Sequence, residues 1–297
     1  MGRNYEYKKE IKSARWLLFG VILFLFTADV IFEAAVSFMS APPHEYVRMA
    51  IVEMAALLLP LIILRGSSLK KYNTVKRLRL NKMTFTQVVF TILLGAGGQF
   101  VMMILNLPLQ YLCQVVFHME SSSQSLGALS VPAVFGGIIA VGILPAVLEE
   151  FWMRGLVFEV YNRVGTACAV LFTTFIFAVF HGKPQELLGY IFMGFSASFV
   201  MIMCNSLYAA ILYHLSSNLT ALLFSIVIMD LVDYLWLIIL LMILLFFVVL
   251  ILFLRKKPAM TIVKDEKGMK VFWRSLFSVP IILSICIVIL KYWLIYS

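Results

Sequence analysis

Charge is what this sequence has least of. Of its 297 residues only 13% are Asp, Glu, Lys or Arg, against 63% hydrophobic, where a soluble domain is roughly a quarter charged and half apolar. That shortage excludes a solvated globular surface, and no shift in composition marks off a separate soluble domain. Cysteine is also sparse: Cys113, Cys168, Cys204 and Cys286 stand far apart with no C-x-x-C pair. Neither a disulfide framework nor a zinc–cysteine site is indicated. No internal repeat or low-complexity tract occurs. The short segments of alternating polarity that would build a membrane β-barrel are missing too.

Long apolar runs fill the chain instead. Runs of about 18 or more residues, the length that crosses a bilayer, recur near 16–40, 48–64, 84–105, 132–158, 165–181, 185–203, 206–228, 231–254 and 273–295. The pattern predicts an all-α, polytopic membrane helix bundle of about eight or nine transmembrane helices, forming a single integral membrane domain over 1–297. The first run follows a basic head, as a secretion signal would. Its length and its Asp29 and Glu33 mark it as an uncleaved anchor.

The net charge of +9 is arranged by side. With the N-terminus inside, the segments 1–15, 65–83, 159–164, 204–205 and 255–272 and the helix ends beside them hold every Lys and Arg except Arg48, Lys183 and Lys291. This positive-inside bias predicts a cytoplasmic N-terminus and, for nine spans, an external C-terminus. The basic loops 65–82 and 255–270 suit anionic inner-leaflet lipids, and a nucleic-acid partner is not expected. On the outside, 106–131 has no Lys or Arg; it is apolar around His118 and then rich in Ser and Gly, as an interfacial segment or lid would be. Gly95, Gly97 and Gly98, and Gly136, Gly137 and Gly142, are read as points of close helix approach.

Ionisable groups within the spans cost ~2.5–3.5 kcal/mol each at a helix centre on insertion scales, so each requires an account. The stretch VLEEFWMRG (147–155) holds three. Glu150 and Arg154 are four apart and share a helix face, which permits an ion pair. Glu149 lies about 100° round from Glu150 and is free to serve as a base. The stretch FAVFHGKPQE closes the fifth span with His181, one turn after Phe177, and ends the helix at Gly182–Pro184. In YHLSSNLT, His214 and Asn218 are at i and i+4 and present a ring nitrogen and an amide to one point. A carboxylate and an imidazole can activate water, while a second imidazole and an amide can stabilise an oxyanion. Each fragment alone also fits a packing role. At about 1.5 Å per residue, Glu149 stands about 18 Å above its inner helix end at 161, His181 about 24 Å above 165, and His214 about 12 Å above 206. Convergence therefore requires staggered or tilted helices.

The succession EExxxR (Glu149, Glu150, Arg154), FxxxH (Phe177, His181) and HxxxN (His214, Asn218) resembles the CPBP family of intramembrane proteases. That family includes type II CAAX prenyl endopeptidases and bacterial relatives linked to bacteriocin processing and self-immunity. The resemblance covers about 130–228 as a catalytic core, between flanking helices 16–105 and 231–295. It implies an intramembrane endopeptidase acting on a membrane-associated or hydrophobic peptide. Glu149 and His181 would activate water, His214 and Asn218 would hold the oxyanion, and Glu150 and Arg154 would orient the site. If zinc takes part, Glu149, His181 and His214 are its candidate ligands. There is no H-E-x-x-H, so a metal-free glutamate mechanism is favoured and no cofactor is expected. A bacteriocin or signalling-peptide precursor in a bacterial plasma membrane, or a CAAX-type tail, is the expected substrate. The alternative is a non-catalytic scaffold or immunity protein of the same fold that binds a sensor kinase or toxin. A transporter is disfavoured because no inverted repeat with matched broken helices is visible.

The remaining intramembrane acids, Asp29, Glu33 and Glu53, lie in outer halves of spans one and two with Arg48 nearby. They are read as local pairs or water contacts, with a cation site or the outer wall of a substrate path as the functional alternative. Asp230 and Asp233 fall in an outer turn, as solvated loop charges.

Overall fold

The structure is a computed structural model that describes residues 2–38, 45–63, 78–118, 131–227, 232–264 and 267–296. It is all-helical, with no strand among the described residues. The helices are α1 (Gly2–Val36), α2 (Glu45–Ile63), α3 (Phe85–Phe117), α4 (131–162), α5 (Thr166–Phe180), α6 (Leu187–Cys204), α7 (Leu207–Val227), α8 (Leu235–Leu254), α9 (Gly268–Leu276) and α10 (Val279–Tyr296). Among the described residues, six are long and apolar enough to cross a membrane. A seventh is added if α9 and α10, bent by 50° at their junction, are taken as one span. Helix α5 is apolar but has only 15 residues, about 22 Å at the α-helical rise, short of a bilayer core of about 30 Å.

The chain divides into two compact units interleaved in sequence. The first comprises Met1–Arg79, Leu148–Gly182 and Thr261–Ser297. Its core joins α1 to α4 through Val21, Trp152 and Leu156, with Leu17, Leu25 and Phe151 around them. Charged segments assigned to the inside gather at one end: Arg163 pairs with Glu10 at 2.7 Å, Arg79 pairs with Glu159, and Arg15 Nη1 donates to Arg274 O. Arg48 and Lys291, two of the cations that break the charge bias, both pair with Asp29, at 3.0 and 2.7 Å. Arg48 also holds Glu33 at 2.9 Å. The local pairing read from sequence for Asp29 and Glu33 is therefore present.

The second unit comprises Leu80–Val147 and Lys183–Met260. Helix α3 starts on a capping box: Thr84 Oγ1 accepts from Gln87 N, and Gln87 Oε1 accepts from Thr84 N, which satisfies two backbone donors at the helix start. The third span was placed at 84–105, but the helix runs on to Phe117 past Pro108. One proline removes a single backbone bond, and the apolar stretch beyond it keeps the helix intact. The Ser-rich half of 106–131 lies outside the described residues, as does Asp230. Helix α7 packs on α3 where glycine permits it. A Cβ at Gly98 would stand 2.5 Å from Tyr213 Oη, and one at Gly97 would stand 2.8 Å from Phe246 Cβ of α8. Gly95 meets the Tyr213 carbonyl, and Gly142 meets Leu219. Polar stitches reinforce the contact: Ser216 Oγ donates to Ile92 O and Ser217 Oγ to Gln99 Oε1. Leu240, Leu241, Leu244 and Ile251 of α8 are exposed, as expected of a helix that is apolar all round and faces lipid.

Candidate active site

Helix α4 owes its shape to its sequence. Pro145 has no N–H, so Val141 O, four residues back, cannot receive its α-helical bond. The helix widens into a π turn over Ile138–Ile143, in which Leu144 N–H reaches back five residues to Ile139 O. The freed Val141 carbonyl is taken at 2.9 Å by Asn218 Nδ2 of α7. Asn218 thus commits one of its two amide N–H groups to the backbone and keeps the other. A second π turn spans Phe151–Val157, where Phe158 N–H reaches Met153 O. Such turns concentrate at functional sites, and here Glu149 and Glu150 sit on the α-helical turn between the two.

In the first unit Arg154 Nη1 donates to Glu150 Oε1 at 2.8 Å, and both side chains are wholly shielded from solvent. The guanidinium stacks over the Phe177 ring, 4.7 Å from its centroid. On α5 the Phe177 and His181 rings lie 4.6 Å apart. His181 Nδ1 is 2.8 Å from Phe177 O. A carbonyl only accepts, so Nδ1 carries the proton, and in the neutral ring Nε2 presents its lone pair. Nε2 faces Glu149 Oε2 at 3.7 Å, beyond direct hydrogen-bond range. Phe177 therefore has a physical role in the motif: its ring contacts both the Arg154 guanidinium and the His181 imidazole, and its carbonyl sets the tautomer. Helix α5 stops there because Gly182 adopts φ +61°, a left-handed stop that glycine favours, and Pro184 follows.

Glu149 and His181 border a cavity of about 140 Å³, with Leu18 and Val21 of α1, Trp152 of α4 and Phe180 of α5 among its walls. Glu53 of α2 lines it too. From sequence Glu53 is read as a local charge, with a cation site or the outer wall of a substrate path as the alternative; its place at the cavity fits the second. Of the six site residues chosen from sequence, Glu149, Glu150, Arg154 and His181 are brought together in the first unit. His214, buried, and Asn218 belong to the second.

Residues 131–220 match the family model described as Rce1-like, type II CAAX prenyl endopeptidase Rce1-like. Over this segment, a little under a third of the chain, the protein is similar to the CAAX-type proteases of the CPBP family. No curated protein and no solved structure matches the chain. The Rce1-like segment contains Glu149, Glu150, Arg154, Phe177, His181, His214 and Asn218; Glu53 lies outside it. With six or seven sufficiently long apolar helices among the described residues, the chain is an integral, multi-pass membrane protein, and the match suggests intramembrane CAAX-type protease activity.

Proposed function

We propose that the protein is an intramembrane endopeptidase in which Glu149 and His181 activate water. The observation that carries this is the 3.7 Å approach of His181 Nε2 to Glu149 Oε2 at the wall of a cavity. A water about 2.8 Å from both atoms, an ordinary hydrogen-bond length, donates one proton to each and keeps a lone pair for a peptide carbonyl carbon. Attack forms the C–O bond, and Glu149 or His181 takes the water's proton. Collapse breaks the C–N bond, and that proton passes to the leaving amine. His214 and the uncommitted N–H of Asn218 hold the oxyanion, while Glu150, Arg154 and Phe177 fix the positions of Glu149 and His181.

The proposed step contains no metal. The chain has no H-E-x-x-H, the pattern that sets two zinc-binding histidines and a base on one helix turn. Among the described residues no group of three or more His, Cys, Asp or Glu is placed to hold an ion. The substrate class is a hydrophobic or membrane-bound peptide, either a bacteriocin or signalling-peptide precursor in a bacterial plasma membrane or a CAAX-type tail. A nine-span topology with the N-terminus inside, and contact of the basic loops with anionic lipids, complete the proposal. The test is cleavage of precursor peptides by the purified protein in liposomes, comparing wild type with His214→Ala and Asn218→Ala. Loss of turnover in folded variants supports the oxyanion assignment, and wild-type turnover in both removes it. If biological activity survives without any cleavage, the scaffold reading replaces the protease.

A further inference from the structure

In the first unit, acids come with cations. Glu10 has Arg163, Asp29 has Arg48 and Lys291, Glu33 has Arg48, Glu150 has Arg154 and Glu159 has Arg79. Glu149 faces His181. Glu53 differs: its Oε1 is buried with no hydrogen-bond partner, although it lines the cavity that holds Glu149 and His181. None of the described residues lining that cavity is Lys or Arg, and Arg154 is committed to Glu150 and the Phe177 ring. The chamber therefore contains two carboxyl groups and one imidazole between apolar and aromatic walls. Among the described residues it has an excess of acceptors and no lysine or arginine, unlike the sites of Glu10, Asp29, Glu33, Glu150 and Glu159.

We propose that Glu53 is a specificity-determining residue that receives a cationic side chain, Lys or Arg, of the substrate beside the bond to be cut. The walls suit such a guest. A Lys or Arg stem lies against Leu18, Val21 and Phe180, as long basic side chains lie along apolar surfaces. The charged head reaches Glu53 and the faces of Trp152 and Phe180, where aromatic rings attract cations. A substrate lacking that charge leaves Glu53 with nothing to bind, so discrimination comes from an unsatisfied buried group. Glu53 lies outside residues 131–220, so this selectivity belongs to the chain's own flanking helix and not to the matched segment.

The inference rests on reading the Glu149–His181 cavity as the substrate chamber, and the test separates the two. Full-length protein in neutral micelles is titrated with n-pentylammonium, a mimic of a lysine side chain, and with 1-pentanol, its uncharged counterpart. The readout is the thermal midpoint of unfolding, which rises with ligand that binds the folded state. Wild type binds the ammonium about tenfold or more tightly than the alcohol, as a close charge pair provides. Glu53→Gln loses that preference, and Glu53→Asp restores part of it, which separates charge recognition from folding. Glu149→Gln loses cleavage yet still prefers the ammonium. Equal binding of the two probes by wild type, or an ammonium preference that survives Glu53→Gln, overturns the proposal. Cleavage surviving Glu149→Gln refutes the protease mechanism and leaves this binding result standing.

Discussion

Replacing Arg154 by leucine isolates the cost of the buried pair. Glu150 and Arg154 are in contact at 2.8 Å with no solvent access to either side chain. Without the guanidinium, the Glu150 carboxylate remains in a site built for an ion and has lost its counter-ion. Breaking one partner of such a pair costs about 3–5 kcal/mol. The lost stacking on Phe177 adds up to about 2 kcal/mol where the cation is desolvated. Glu150→Gln strands the arginine and costs a similar amount. The combination Glu150→Gln with Arg154→Met removes both charges and keeps most of the volume, so it is far milder than the sum of the single changes. Its coupling energy is about 2–3 kcal/mol. The assay is equilibrium unfolding in mixed SDS and neutral-detergent micelles, followed by circular dichroism. Single variants within about 1 kcal/mol of wild type, the cost of an exposed pair, would refute the reasoning. So would strict additivity in the double variant.

Asn218→Leu leaves the Val141 carbonyl without its donor and destabilises by about 1–3 kcal/mol. Pro145→Ala restores an N–H four residues from Val141 and relieves much of that loss, which the same unfolding assay measures on the double variant. Phe177→Leu keeps an apolar side chain but removes the platform between Arg154 and His181. Turnover falls at least tenfold, while stability falls by only about 1–2 kcal/mol, most of it from the lost cation–π contact. 1,10-Phenanthroline leaves peptide cleavage unchanged; inhibition reversed by added zinc would assign the water to a metal ion.

Much of this site was legible because its residues obey helix periodicity. Glu150 and Arg154 pair because they are four apart, and the Phe177 carbonyl meets His181 for the same reason. The mismatch in height between Glu149 and His181 came from helix ends. With α4 ending at Asn162 and α5 beginning at Thr166, the two groups stand about 20 and 22 Å from their shared turn. A shift of one residue at each end halves the disagreement. Glu53 was legible only as one alternative, the outer wall of a substrate path, because local spacing does not say what the α2 side chain meets. The π turn was not legible from Pro145 alone, because Pro108 frees a carbonyl in α3 without widening that helix; at Pro145 the freed Val141 O is the one Asn218 holds. Among the described residues six or seven helices are long enough to span, where eight or nine are expected from hydropathy; α5, marked as a span by its apolarity, has only 15 residues.

The account's central claim is that the Glu149 carboxylate and the His181 imidazole act on one water. Its most direct test is single-turnover cleavage of a precursor peptide by the Glu149→Gln protein in liposomes, with unfolding stability measured on the same sample. The amide matches the carboxylate in shape but cannot take a proton, so the account predicts a rate at least a hundredfold below wild type with stability unchanged, within the range general-base catalysis contributes. A Glu149→Gln protein that cuts at the wild-type rate would contradict it.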